Sequence, residues 1–474
     1  MKRICCLFLL LALMLPFCSC VAHPTENEII TAAESAGLPA AETELNEAVD
    51  DGTAASTEVV KDEGEAVQNL PASPMSGQVE KLAVPTMPDP IAFDDFAARQ
   101  AERKAYPMDK ATAAACQSFA YDTAFRILAD DPTETSLYSP MTLYLALALT
   151  ASGAKGETAE ELNRLLRLDS SADHSLLFRN LWHNLFADNE VTATKPALAL
   201  WVNSGADGIV DIRDSFLTQA KNDYFSSVFR ADFADPQTPK QMSGWVKEQT
   251  EGMIEPLIEL YPDSVMTLFS TLYFRDEWTD RFDSAKTAPD RFHCADGSEK
   301  EMNFMNAAFF SHGFARGDGW TRSSLSLKGG GSVIFVLPDE ETGLEGLLQY
   351  PALDAVFTGG EMKSGEVIFK LPKIDIAVRY DLIPLLRDCG LDASLSDSAD
   401  FSGITNGTFF ISGVTQENAA VFDEKGVSAA SFTMIQYAGA AMPDGRAEMI
   451  LDRPFLFMIA DRFGLPLFIG AYNG

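Results

Sequence analysis

Gly426-Val-Ser-Ala-Ala-Ser-Phe-Thr-Met-Ile-Gln-Tyr-Ala-Gly-Ala-Ala-Met-Pro443 contains no charged side chain, in a protein where 22% of residues are charged. The run is followed by Asp444-Gly445, a turn signal. No proline interrupts it before Pro443. Alternate residues Val427, Ala429, Ser431, Thr433 and Ile435 are small or β-branched. The intervening set, Ser428, Ala430, Phe432, Met434 and Gln436, is mixed. Such a segment is able to become a strand with one face against a core. Its end, Tyr437 to Met442, has little to hold it in a fixed structure. On periodicity alone the stretch reads as a core strand followed by a loop.

The surrounding chain has 474 residues, 69 acidic against 36 basic side chains, and a formal charge of −33. That acidity argues against a nucleic-acid binder, because a phosphate backbone would be repelled rather than neutralised. Residues 1–20 contribute +2 through Lys2 and Arg3. Residues 21–90 contribute −12, from fourteen acids against two lysines, and residues 91–474 carry the remaining −23. Of seven cysteines, Cys5, Cys6, Cys18 and Cys20 lie in the first twenty residues. Cys116, Cys294 and Cys389 are odd in number and far apart, so no disulfide scaffold is expected and their redox state stays open.

Three parts follow from composition. A charged start, the apolar run Ile4 to Phe17 and small residues at Cys18-Ser19-Cys20 make residues 1–20 a secretory signal. The run is too short to span a bilayer comfortably. Phe17-Cys18-Ser19-Cys20 also resembles a loose bacterial lipobox, with Cys20 as the residue to be lipidated; simple signal cleavage is the alternative. Residues 21–90 hold no Phe, Trp or Tyr and seven prolines. They cannot bury enough apolar surface to offset the entropy of ordering, so a disordered acidic tether is expected, extending to residue 107. The long region beyond it reads first as helices and then as strands. Cys116, Phe119, Ala120, Thr123 and Ile127 recur at helical spacing. Thr158 and Glu161 read as a capping box before Leu162, Leu165 and Leu166. Ser332–Leu337, Val367–Leu371, Phe455–Ala460 and Leu467–Tyr472 read as strands. Helices segregated from strands indicate an α+β fold.

Catalytic motifs are absent. No G-x-S-x-G or H-E-x-x-H occurs, and the five histidines form no ligand pair at helical spacing. Gly329-Gly330-Gly331 lacks a following Lys-Ser/Thr and precedes a strand, so it reads as a turn. A catalytic enzyme and a metal site are both disfavoured.

From about Met108 to Gly474 the chain resembles a serpin. The resemblance rests on ordered motifs: Tyr138-Ser-Pro-Met-Thr-Leu143, Ser152-Gly-Ala-Lys-Gly-Glu-Thr-Ala-Glu-Glu-Leu162, Ala199-Leu-Trp-Val-Asn203 and Trp245-Val-Lys-Glu-Gln-Thr-Glu-Gly-Met-Ile254. Thr271-Leu-Tyr-Phe-Arg-Asp-Glu-Trp278, Leu371-Pro-Lys373, Ala399-Asp-Phe-Ser-Gly403, Asp423-Glu-Lys-Gly-Val-Ser-Ala-Ala430 and Arg453-Pro-Phe-Leu-Phe-Met-Ile459 follow. Each is weak alone; their order and spacing together are specific. The resemblance implies one domain, residues 108–474, of three β-sheets and about nine helices with an exposed reactive loop.

It also implies a function. A serine protease attacks the loop as bait and forms an acyl-enzyme; the cleaved loop then inserts as a new central strand and traps the protease. The hinge would comprise Glu424, Gly426, Val427, Ser428, Ala429, Ala430 and Ser431, with Val427, Ala429, Ser431 and Thr433 facing inward and Phe432 outward. Its lack of charge and bulk suits burial and favours an inhibitor over a non-inhibitory serpin acting as a surface binding or scaffold protein. Counting about seventeen residues from Glu424 puts the scissile bond at Ala440–Ala441, with Tyr437, Met442 and Arg446 as alternatives. Small residues there suit an elastase-like or subtilisin-like protease; Arg446 would suit a trypsin-like one, and a cysteine protease is a variant. Trp278 matches a near-constant tryptophan. Ser270 stands where the family usually has Asn, Gln416 where it has His, and Asp276 where it has Gly. Gln416 with Ser270 and Ser139 is expected to form a substitute polar network beneath the opening strands. A secreted or surface-anchored monomer without cofactor is expected.

Overall fold

Pro140 to Leu149 are ten consecutive buried residues inside one helix. A helix apolar on every side belongs in an interior. Pro140 starts it at a position where a missing N–H costs nothing. The helix lies between two sheets and packs on strands of both.

The computed structural model describes residues 79–168, 174–205, 211–260, 264–349, 353–407, 409–427 and 445–474. Its helices are α1 (Phe96–Ala105), α2 (Lys110–Asp130), α3 (Pro140–Ser152), α4 (Gly156–Leu165), α5 (His174–Leu185), α6 (Asp214–Asp223), α7 (Thr238–Gln249), α8 (Gly343–Leu347), α9 (Leu353–Thr358) and α10 (Ile383–Asp388). The first strands are β1 (Glu80–Ala83), β2 (Ser136–Tyr138), β3 (Ala187–Asp188), β4 (Ala193–Asn203), β5 (Ser226–Ala231), β6 (Met266–Glu277), β7 (Ala288–His293), β8 (Glu299–Gly317) and β9 (Trp320–Ser326). The others are β10 (Ser332–Pro338), β11 (Glu361–Pro372), β12 (Ile374–Asp381), β13 (Thr415–Phe422), β14 (Gly426–Val427), β15 (Gly445–Ile450), β16 (Phe455–Ala460) and β17 (Pro466–Tyr472).

The first sheet runs β1-β5-β4-β6-β14-β13-β12, with β3 beside β4. The second runs β15-β11-β8-β9-β10-β16-β17-β2, with β7 beside β8. The fold is α+β, and all four expected strands occur, in β10, β11, β16 and β17. Two hydrogen-bonded networks stand where three sheets are expected, because the 19-residue β8 serves two groups of strands. Its start pairs with β7, its end with β9, and β11 follows it almost throughout. Ten helices are present among the described residues, against about nine expected.

Two sequence expectations are corrected. Residues 80–106, assigned to the tether, are folded onto the domain. β1 pairs with the edge of β5, and Glu80 bonds Arg230 at 2.8 Å. A sheet edge offers unpaired N–H and C=O groups to any short extended segment, whatever its side chains. Asp95 caps α1, Glu102 meets His183 Nδ1 at 2.7 Å, and Tyr106 stacks on His183 with centroids 3.5 Å apart. The signal, Cys20 and the tether as far as residue 78 lie outside the described residues.

The capping box is also absent. α4 begins at Gly156, so Thr158 and Glu161 lie inside it. Glu161 reaches across instead, accepting from the N–H groups of Asp392 (3.2 Å), Ala393 (2.9 Å) and Ser394 (3.0 Å) and from Ser394 Oγ (3.0 Å). Thr158 Oγ1 accepts from Asp400 N–H at 2.9 Å. Burial raises the Glu161 pKa, but these donors outweigh it and hold the carboxyl below its usual value. Replacement by Ala would leave buried donors unpaired. Glu161→Ala should lose about 1–3 kcal/mol in urea unfolding at neutral pH. The loss should fade as pH falls below about 4, where the ionised form no longer stabilises the fold.

Candidate functional site

Asp423, Glu424, Lys425 and Gly426 form a turn that hands the chain from β13 to β14. Asp423 Oδ1 accepts from the N–H groups of Lys425 (2.8 Å) and Gly426 (3.1 Å), and Asp423 N–H donates to Gly426 O at 3.0 Å. Trp278, fully buried, holds this turn from below. Its indole N–H donates to Asp423 O at 2.8 Å and its backbone N–H to Lys425 O at 2.9 Å. The ring packs edge-on against Phe282 and Phe422. Phe282 N–H donates to Glu424 O at 3.0 Å.

Glu424 is fixed by Lys373 Nζ at 3.0 Å and by the Thr287 hydroxyl, which donates to it at 2.8 Å. Burial raises its pKa, but bonds to its own backbone, Lys373 and Thr287 leave it below the usual glutamate range. Lys373 closes the Leu-Pro-Lys motif, whose partner is not visible in the sequence.

Gly426 and Val427 then form β14. Gly426 pairs with Glu277 and Val427 with Asp276 on β6, while Val427 also pairs with Phe422 on β13. Gly426 lies so close to β6 that a Cβ there would fall 2.2 Å from Asp276 O. No larger residue fits. Val427 is buried in the main core.

Below β14 the first sheet is open. Among the described residues β6 and β13 share no ladder pair; only two-residue β14 joins them. A cleft of about 660 Å³ separates them, lined by Met266, Leu268 and Ser270 on one side and Phe410, Thr415 and Glu417 on the other.

The expected polar network forms in part. Gln416 Oε1 accepts from Ser139 N–H at 3.0 Å, and its amide donates to Ser139 O at 2.9 Å and Thr142 Oγ1 at 2.7 Å. Ser139 Oγ donates to Leu467 O at 2.8 Å. Asn418, missed by the sequence reading, donates to Gln416 Oε1 at 2.9 Å. Alternation along β13 was the available signal, since Gln416, Asn418, Ala420 and Phe422 all point inward and are buried. Among the described residues Ser270 has no hydrogen bond to this network; it lines the same cavity as Gln416 from the β6 side.

Ser428, Ala429, Ala430, Ser431, Tyr437, Ala440, Ala441 and Met442 lie outside the described residues. Arg446 is inside β15, opposite Glu366 of β11. Its guanidinium meets Glu448 at 2.9 Å and Glu366 at 3.5 Å, and Arg316 donates to its carbonyl at 3.1 Å. Arg446 is thus held in an edge strand by backbone pairing and ion pairs.

Among the described residues, β6 and β13 are joined only by β14, at the head of the cleft. Comparison with known proteins identifies the family. The family model described as "Serpin (serine protease inhibitor)" matches residues 114–474, and the chain belongs to the serpin family. It is 29% identical to Serpin-Z7 of Hordeum vulgare, over 74% of this chain and 95% of that one. It is 28% identical to Alpha-1-antiproteinase S of Cavia porcellus, over 73% and 86%. It is also 28% identical to a rice (Oryza sativa subsp. japonica) protein called Probable non-inhibitory serpin-Z9, over 77% and 87%. Among solved structures, the thermophilic serpin tengpin in its native state superposes with a TM-score of 0.69 at 23% identity, over 84% of this chain and 100% of that one. Serpin48 of Tenebrio molitor gives 0.68 at 26%, over 77% and 98%. Members of the family are generally protease inhibitors rather than enzymes.

Gln416→Leu would strand Ser139 N–H and the Asn418 amide in the interior. Urea unfolding should show a loss of about 1–3 kcal/mol. Gly426→Ala, which must push β6 aside, should cost a similar amount.

Proposed function

We propose that this protein is a suicide-substrate inhibitor of a serine protease, held at a cell surface by a lipid on Cys20 and an acidic tether. The observation that carries this reading is β14, seated between β6 and β13 at the head of an open cleft. A protease serine would attack the Ala440 carbonyl, breaking the Ala440–Ala441 bond. The new amine stays on Ala441 and the acyl group on the enzyme. Residues 428–440 are then free to continue β14 downward. At about 3.4 Å per residue they move the acyl-enzyme by roughly 40 Å.

Register supports the proposal. Gly426 opposite Glu277 and Val427 opposite Asp276 fix the pairing along β6. Continued downward, it sets Ala429 against Phe274, Ser431 against Leu272, Thr433 against Ser270 and Tyr437 against Met266 at the end of β6. Directly opposed residues share a face. Leu272 and Phe274 lie in the main core, so Ala429, Ser431 and Thr433 would face it. Phe432 would face out, toward α7. The pairing of Phe422 with Val427, continued the same way, sets Thr433 against Gln416. The inserted hydroxyl would sit between Ser270 and Gln416, joining two groups the open cleft keeps apart. Ala440–Ala441 is favoured over Arg446 because Arg446 is committed to β15. Small residues at the bond suit a protease with a small apolar primary pocket.

The test is incubation with elastase-like, subtilisin-like, trypsin-like and cysteine proteases. An SDS-stable complex with one of the first two, and a C-terminal peptide whose mass begins at Ala441, are expected. Cleavage without complex and without a gain in thermal stability would instead place the chain among non-inhibitory serpins. Inward charges should convert inhibitor to substrate: Val427→Arg and Thr433→Arg should abolish the complex, while Phe432→Arg keeps most of it. Inhibition that survives Val427→Arg would overturn the insertion mechanism.

A further inference from the structure

Asp276, which replaces the family's usual glycine, is a carboxyl buried at the head of β6, where the hinge enters. Its residue is 2% exposed. Oδ1 accepts from Thr192 Oγ1 at 3.0 Å and from Glu277 N–H at 2.8 Å. The N–H of Gly329 donates to both oxygens, at 3.1 and 3.0 Å. Gly329 stands in the turn between β9 and β10, so this contact crosses from the first sheet to the second. A Cβ on Gly329 would fall 2.4 Å from Asp276 Oδ2 and 2.8 Å from Thr192 Oγ1. The turn comes this close only because it is glycine.

The charged groups around Asp276 are paired elsewhere. Glu277, next on β6, takes Lys328 of the turn at 2.5 Å and Arg281 at 2.7 Å. From β14 Asp276 faces the backbone of Gly426 and Val427, and from the approach to β4 it faces uncharged Thr192. Among the described residues it has no cation of its own. Neighbouring backbone contacts reinforce the same seam: Lys328 N–H donates to Glu277 O at 2.9 Å and Thr279 N–H to Ser326 O at 2.8 Å.

We propose that the Asp276 carboxyl is a latch, a positioning residue that ties the head of β6 to the Gly329 turn and sets how readily the loop enters the sheet. The proposal rests on the insertion reading above. β14 already stands between β6 and β13 at Asp276, so an inserted strand widens the first sheet by about 4.8 Å only below that point. The contact between Asp276 and Gly329 anchors the head of β6 against that movement. Desolvation by burial is the largest influence on this carboxyl; the hydrogen bonds oppose it, and the pKa is pushed up to about 7. A raised carboxyl pKa means that the native state favours the neutral form. Its stabilising contribution is present on the acid side and is lost as pH rises through about 7. The native state that contains this contact is therefore favoured under mildly acidic conditions and disfavoured under mildly basic ones, when an unpaired buried anion favours any state that exposes it.

The experiment compares the full chain with its Asp276→Asn and Asp276→Gly variants. Each is held at one temperature below unfolding, between about pH 6 and 8.5, while conversion to a protease-resistant, heat-stable form is timed. The wild type should convert roughly tenfold faster at the basic end. Asp276→Asn, which keeps an acceptor for Gly329, should show a flat profile. Asp276→Gly should convert at least about tenfold faster than wild type at pH 6. Asp461, buried on another loop and raised to about 6, is common to all three and cancels in the comparison. Equal rates and equal profiles for wild type and Gly variant would overturn the latch. If the Gly variant does not fold, a pH dependence that survives in Asp276→Asn overturns it equally. If wild type never gains heat stability, even after loop cleavage, the insertion reading fails on its own. The latch is then judged by unfolding: wild-type Tm should fall between pH 6 and 8.5 relative to Asp276→Asn, and parallel curves would overturn it.

Discussion

The two edges of β6 are unequal. One edge is paired with β4 from Met266 to Arg275. The other carries backbone partners at Asp276 and Glu277 alone, among the described residues. A strand in the middle of a sheet normally satisfies both edges, because a buried N–H or C=O without a partner costs as much as a lost hydrogen bond. Here most of one edge faces a cleft. Among the described residues the fold is therefore arranged around this unpaired edge, and other features hold the two strands on either side of it. Trp278, Lys373 and Thr287 grip the hinge at the top. Gln416, Ser139 and Asn418 hold β13 to α3 and β17 below it. The helix α3, apolar on all sides, gives both sheets a common floor.

Legibility in the sequence followed the range of the interactions. Strands such as Phe455–Ala460 were plain, because a run of apolar residues has one cheap outcome. The run Val427–Pro443 stood out for the opposite reason: an acidic chain that suspends charge there is under a local constraint. Motif order identified the family where periodicity alone gave only a core strand and loop. Contacts between distant segments were not legible. Thr158 and Glu161 had the spacing of a capping box, yet a carboxylate that can satisfy the N–H groups of residues 392–394 does more there than at a helix start. The Ser270–Gln416 pair failed for a geometric reason, since both point into the same space but a strand's width lies between them. Composition likewise missed β1 and α1. An average over an acidic segment cannot show that its last residues meet a sheet edge and a histidine.

Acidity divides in the same way. More than a third of the net charge belongs to residues 21–90. Inside the domain the carboxylates that matter are the few taken out of water: Glu161 by a loop, Glu277 by Lys328 and Arg281, and Asp276 by a glycine turn. Each of these three joins segments far apart in the chain and so acts as a cross-link.

The placement of the C-terminus gives the cleaved molecule a particular character. β15 lies beside β11, and β16 and β17 lie between β10 and β2. Every residue of β16 and β17 is buried. Cutting the chain ahead of β15 therefore severs a covalent connection without releasing a fragment. The product is in effect a heterodimer, whose smaller subunit was made as part of the larger one and whose interface is the protein's own core. Such an interface is of the obligate kind, too apolar to come apart in water.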